Sequence, residues 1–103
     1  MSHIAYVAKL TAAEGKRDEA LATLGKLVVA TEDEPGTVQY VMHTEVDEPQ
    51  VIWFYERYAD EAAFEAHVGS PTMAEVVGSL AGVLDGPADI RRLEIVQAKG
   101  AAV

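Results

Sequence analysis

The chain has 103 residues, half of them apolar, which suits one domain with a buried core and argues against disorder. Its 17 acidic against 8 basic residues give a net charge of −9, and with no Lys/Arg cluster to offset it, nucleic acid and anionic membrane surfaces would be repelled. The lack of cysteine removes disulfides, thiolate nucleophiles, iron–sulfur clusters and Cys-based zinc sites.

The first residues, Met1 to Val7, lack the basic segment and long apolar run of a leader peptide. No run approaches the roughly 18 apolar residues of a membrane span. A cytoplasmic protein is the expectation. In chain order, His3 to Leu10 reads as a strand, Thr11 to Gly15 as a turn, and Lys16 to Thr31 as an amphipathic helix. Leu21, Leu24 and Val28 form that helix's apolar stripe, with Lys16, Arg17, Asp18, Glu19 and Lys26 mostly outside it. Pro35 and Gly36 end it, because proline biases Glu34 away from helical dihedrals. Glu32-Asp33-Glu34 reads as a solvated helix end. Thr37 to Val46 is a second strand, Asp47 to Gln50 a hairpin-length loop, and Val51 to Tyr58 a third, β-branched and aromatic strand.

Asp60 suits the N-cap of a short helix reaching Val68. Gly69-Ser70-Pro71 breaks and restarts it, with Ser70 as a cap and Pro71 in the first helical position. The restarted helix is expected over Thr72 to Leu84, with Met73, Val76, Val77 and Leu80 as its apolar side. After the turn Asp85-Gly86-Pro87, Ala88 to Val96 is the last strand. The core then covers about residues 3–97, followed by a loose tail over 98–103.

Strand, helix, strand, strand, helix pair, strand is the split βαβ pattern of an α+β, ferredoxin-like domain with a four-stranded, mainly antiparallel sheet. Strands one and three are apolar on both faces, whereas helices can hide only one. The other face would expose Ala5, Val7, Trp53 and Tyr55, a patch that calls for a partner. The simplest partner is a second copy, sheet against sheet, so a homodimer is expected. Arg91, Arg92 and Glu94 in strand four fit a charge-guarded edge.

The segment Tyr55 to Pro71 holds the one constellation with chemistry in it. Phe64 and His67, three residues apart, lie side by side on a helix that begins where strand three ends. His67 could be a base or hydrogen-bond donor at a helix–sheet cavity, or a buried histidine pinning its helix to a backbone carbonyl. Glu56 could work with His67 or orient a substrate hydroxyl, or pair with Arg91 or Arg92 across the sheet. Phe54, Glu56 and Tyr58 share a face with Ile4, Tyr6, Ala8 and Leu10, which could wall a pocket for a flat aromatic ligand or simply be core. His3, His43 and His67 show no metal-ligand spacing, no phosphate-binding or nucleophile-elbow motif occurs, and Ser2, Ser70 and Ser79 have no triad context.

Gly15-Lys16, Glu34-Pro35-Gly36, Tyr55-Glu56-Arg57-Tyr58 and Asp60 to His67 followed by Ser70-Pro71 come in an order and spacing that resembles the antibiotic biosynthesis monooxygenase domain family, over about Ile4 to Val96. The resemblance implies a dimeric α+β barrel, and oxygenation of electron-rich phenols, anthrones or quinols without metal, flavin or haem. The deprotonated substrate would itself reduce oxygen in a dry aromatic pocket. On this resemblance His67 and Glu56 are the catalytic candidates, Tyr6, Phe54, Tyr58 and Phe64 the substrate-binding wall, and no cofactor or metal is expected. Tyr58 stands where the family often has Trp, Phe64 where some members have Tyr, and Phe54 where polyketide-modifying members have a substrate-contacting Asn. His67 matches the quinol-type members. Ala8, His67 and Val77 stand where haem-degrading relatives would need Asn, Trp and an axial His, so haem degradation is disfavoured. A non-catalytic dimeric barrel binding a small hydrophobic ligand, as a stress-related module, is the alternative, and a muconolactone-type isomerase a more distant one.

Overall fold

The computed structural model describes residues 3–100. Four strands, β1 (Ile4–Thr11), β2 (Thr37–Glu45), β3 (Glu48–Tyr58) and β4 (Asp89–Glu94), form one antiparallel sheet in the order β2-β3-β1-β4. Three helices, α1 (Arg17–Ala30), α2 (Glu61–Val68) and α3 (Pro71–Ser79), complete the predicted α+β split βαβ arrangement. The doubly apolar strands β1 and β3 lie in the centre, and the charged β4 is an edge, every residue of it exposed.

Side-chain alternation sorts the sheet into two faces. Ala8, Leu10 and Phe54 point to the helices and pack with Ala20, Leu24, Leu27, Val76 and Val83. On α1 the buried line runs through Ala20, Leu24 and Leu27, with the expected Leu21 and Val28 flanking it half-buried. The small Ala20 lets the helix approach the strands closely.

Local chemistry fixes the joints around α2. Asp60 accepts from the Ala63 backbone N–H at 2.8 Å, and Ser70 from that of Met73 at 3.1 Å, capping α2 and α3 as expected. Gly36 is required by close approach: a Cβ there would collide with Ala63 Cβ on α2. The Gly36 carbonyl accepts from Ala59 N–H at 2.9 Å, tying the start of β2 to the end of β3.

Several boundaries differ from expectation. The β2–β3 loop is only Val46-Asp47, because Glu48 to Gln50 join β3. Pro49 is tolerated in the strand, and its carbonyl accepts from Arg17 Nε at 2.7 Å. The helix after Pro71 stops at Ser79 rather than Leu84. Gly82 adopts a φ of 76° in the turn that follows, and Val83 O accepts from Ala13 N–H at 2.8 Å, drawing the segment back to the exit of β1. β4 is shorter than predicted at both ends. Residues 97–100 of the tail are exposed and irregular, while 101–103, like Ser2, lie outside the described residues.

The face away from the helices carries Val7, Trp53 and Tyr55, each half-buried, with exposed Val41 and Leu93 beside them. Ala5 is not exposed as expected but 1 % accessible, since its methyl lies between two larger cross-strand partners, Arg57 and Leu93.

Candidate functional site

A cavity of about 280 Å³ opens between the helix-side face of the sheet and helices α1 and α3. Its floor is Ala8, Leu10, Phe54 and Ile90 of the strands, and its roof is Leu24 and Leu27 of α1 with Met73, Val76 and Val77 of α3. Of the lining side chains only Tyr40 and Glu56 carry polar groups. These two are cross-strand partners on β2 and β3, so the cavity's polarity is concentrated at one place.

Behind that place lies a packed aromatic and polar cluster. Tyr6 stacks on Phe64 with ring centres 4.4 Å apart, and the Tyr58 ring stands edge-on to both. His67 packs against Tyr40 at 4.8 Å and Tyr58 at 5.4 Å. The Tyr58 hydroxyl donates to Glu56 Oε1 at 2.5 Å. Glu34 Oε1, braced by the Thr37 hydroxyl at 2.8 Å, lies 2.7 Å from His67 Nδ1. A carboxylate accepts and cannot donate, so Nδ1 is the donor in this pair. His67 is 1 % exposed, and its Nε2 is buried with no hydrogen-bond partner among the described residues.

Burial sets the protonation of the cluster. It holds the Glu56 carboxyl above its ordinary value of 4.5, against the opposing pull of the Tyr58 hydrogen bond and of His67. Burial, and then the nearby Glu56 and Glu34 carboxyls, push the Tyr40 phenol up; burial and its bond to Glu56 do the same to Tyr58. Both phenols are held as hydrogen-bond donors, while Glu56 is a carboxyl poised nearer neutrality than a surface one.

Of the six residues singled out from sequence, Phe54 and Glu56 line the cavity, and Tyr6, Tyr58, Phe64 and His67 form the adjoining cluster. The partners weighed for the charged pair differ from those found, though His67 is a buried histidine that pins its helix. His67 is fixed by a side chain rather than a backbone carbonyl, and Arg91 and Arg92 pair with Asp89 and Glu61 instead of Glu56. Glu34 corrects the reading of Glu32-Asp33-Glu34 as a solvated end: Glu32 and Asp33 are exposed, but Glu34 turns inward to His67. Tyr40 is the polar lining residue that sequence reasoning missed. Among the described residues no group of three or more His, Asp or Glu side chains is arranged to hold a metal ion.

The Antibiotic biosynthesis monooxygenase family profile matches residues 3–78, and the chain belongs to that family. Its fold is similar to that of a Pseudomonas aeruginosa protein, at 23 % identity and a TM-score of 0.88 over 94 % of this chain and 97 % of the other. A conserved protein of Methanosarcina mazei is similar at 26 % identity and a TM-score of 0.85, over 91 % and 93 % of the two chains. A Caulobacter crescentus protein named provisionally as an antibiotic biosynthesis monooxygenase is similar at 24 % identity and 0.87, over 93 % and 92 %. No curated protein matches the sequence.

Proposed function

We propose that this chain is a cofactor-independent monooxygenase, an oxidoreductase that uses molecular oxygen on a small hydroxyaromatic substrate of the quinol, phenol or anthrone type. The observation that carries the reading is the placement of Glu56 and Tyr40 at one point of an otherwise apolar cavity. Glu56 takes the proton of the substrate hydroxyl, and the Tyr40 phenol donates to the oxygen left behind. His67, held by Glu34, stands beside this carboxyl as a second buried polar group, its Nε2 without a hydrogen-bond partner among the described residues. The apolar walls exclude water and hold the ring. The resulting anion gives up two electrons to oxygen as a hydroperoxide forms on a ring carbon; loss of that carbon's hydrogen then supplies two more, breaking the O–O bond so that the carbon becomes a carbonyl and the other oxygen leaves as water with the protons of that carbon and the hydroxyl.

The active unit in this reading is a homodimer joined through the open sheet face, where Val7, Val41, Trp53, Tyr55 and Leu93 form an apolar surface. Trp53→Glu is expected to leave monomers by light scattering; a dimeric mass would contradict that interface. No helix among the described residues is long and apolar enough to cross a membrane, and we place the protein in the cytoplasm.

Oxygen uptake on adding reduced quinols, phenols and anthrones tests the activity. Uptake above the spontaneous rate that is lost in His67→Ala supports it. A second reading has its own support: His67 stands behind the cavity wall rather than on it, as it would in a barrel that only binds a hydrophobic ligand. Binding of the same compounds with no uptake favours that one.

A further inference from the structure

We propose that Arg92 is a specificity-determining residue at the cavity mouth: it takes a carboxylate carried on the outer end of the ligand, so that an aromatic hydroxy acid is preferred over its neutral counterpart. This deepens the reading above and rests on its cavity, but the binding step stands without the oxygen chemistry.

Four observations carry it. First, the cavity opens between β4 and α3, where its lining residues Ile90 and Val77 are each 60 % exposed. A charged group on the ligand at that end keeps part of its water and is not stranded among apolar walls. Second, Arg92 is the next residue after Ile90 on the same side of β4, about 7 Å along the strand. Its guanidinium leans inward over the sheet: Cζ lies 5.9 Å from the centre of the Tyr6 ring on β1, and Nη1 lies 2.9 Å from Glu61 Oε1 at the start of α2. Among the described residues it is the only Lys or Arg on the helix-facing side of the four strands, because Lys9, Arg57 and Arg91 alternate to the open face. Third, the guanidinium has capacity left. The Glu61 pair is half-exposed at both ends, a setting in which an ion pair is weak, and it engages one nitrogen of a group with five N–H donors. That planar fork matches a carboxylate in a way that it does not match an ester or a hydroxyl. Glu94, the next residue on the same side of β4, is the other acidic group nearby. Fourth, the span fits. Tyr40, Glu56, Tyr6 and Arg92 form one row across the sheet, so Glu56 and Arg92 stand two strand spacings apart, about 10 Å. A two-ring aromatic lying over Ala8, with its hydroxyl at Glu56, brings a carboxylate on its opposite end to Arg92.

Calorimetric titration of the full chain at neutral pH tests the proposal with three probes: 6-hydroxy-2-naphthoate, its methyl ester and 2-naphthol. The expected result is that the carboxylate binds about fivefold or more tightly than the ester, the worth of a charge-assisted pair at a half-exposed site. Arg92→Gln should remove that preference and leave 2-naphthol binding unchanged, which also shows that the variant keeps its cavity. An ester that binds as tightly as the carboxylate would overturn the proposal. So would a preference that survives Arg92→Gln, a variant that loses all three probes alike, or no binding of any probe by the wild type. Oxygen uptake on the same probes separates the two readings. Preference for the carboxylate without uptake would sink the oxygenase and leave this inference standing. Uptake with no preference for the carboxylate would do the reverse.

Discussion

Ala8, Leu10, Phe54 and Tyr58 are sealed on the helix side of the sheet, whereas Val7, Trp53 and Tyr55, their neighbours along the same strands, stand half-covered on the other side. Both sets are apolar, so hydrophobicity alone does not decide which face holds the site. What separates them is the company each keeps. The helix side gathers Glu34, Tyr40, Glu56, Tyr58 and His67 in one cluster, with hydrogen bonds from Tyr58 to Glu56 and between His67 and Glu34 and with the His67 ring packed on both tyrosines. On the open side the charged and polar groups are structural or peripheral: Trp53 Nε1 donates to Glu45 at 2.7 Å, Lys9 lies over the Trp53 ring, and buried Arg57 bonds His3 at 2.9 Å. One face carries the cavity and the polar cluster beside it, the other a half-covered apolar surface.

The contrast can be broken most forcefully in the core. Leu24→Ala, at a site 2 % exposed, should cost about 2–5 kcal/mol in urea unfolding, while Tyr55→Ala on the open face should cost under about 1 kcal/mol in the isolated protomer. Equal losses at both sites, independent of protein concentration, would erase the distinction between the faces. Next in size, Gly36→Ala should destabilise by about 1–3 kcal/mol through overpacking against Ala63, and Ala63→Gly in the same chain should restore most of it. If the second change restores nothing, the contact between the start of β2 and α2 is not what Gly36 protects. Asp60→Ala should cost about 1 kcal/mol by loss of the α2 cap, moving the thermal midpoint and little else.

The smallest effect is a change of slope. Burial raises the Glu56 carboxyl in the folded chain above its unfolded value of 4.5. Its contribution to stability is therefore complete below 4.5 and is lost as pH rises through the folded value. Glu56→Gln should flatten the decline of the melting temperature from mildly acidic pH toward neutrality. Parallel profiles for the two proteins would mean that the carboxyl is not buried in the way described.

The split βαβ architecture was legible in the order of the elements, and the edge position of β4 in its charged Arg91, Arg92 and Glu94. The caps Asp60, Ser70 and Pro71 were legible because their chemistry is local. Helix α3 was overextended, since the periodic Leu80 and Leu84 belong to a turn that Gly82 and the long-range bond from Ala13 organise. Glu56 and His67 were found from their own neighbourhoods, but the Glu34–His67 pair spans 33 positions and leaves no trace in either segment. Tyr40 was hidden by an irregularity. Continuing the Glu45–Glu48 pairing unbroken would set Tyr40 opposite Trp53 on the open face. The register shift between Thr44 and Glu45 sets it opposite Glu56, and no local signal in the sequence gives the size of that shift.

The central claim is that the polar end of the helix-side cavity removes the substrate's proton. Oxygen consumption by the wild-type chain and by Glu56→Gln, on the compound of the quinol, phenol and anthrone panel that binds tightest, tests it most directly. The account predicts uptake by the wild type and a fall of about a hundredfold or more in the variant, the usual worth of a positioned general base, with the melting transition intact. Uptake by the variant at the wild-type rate would contradict it.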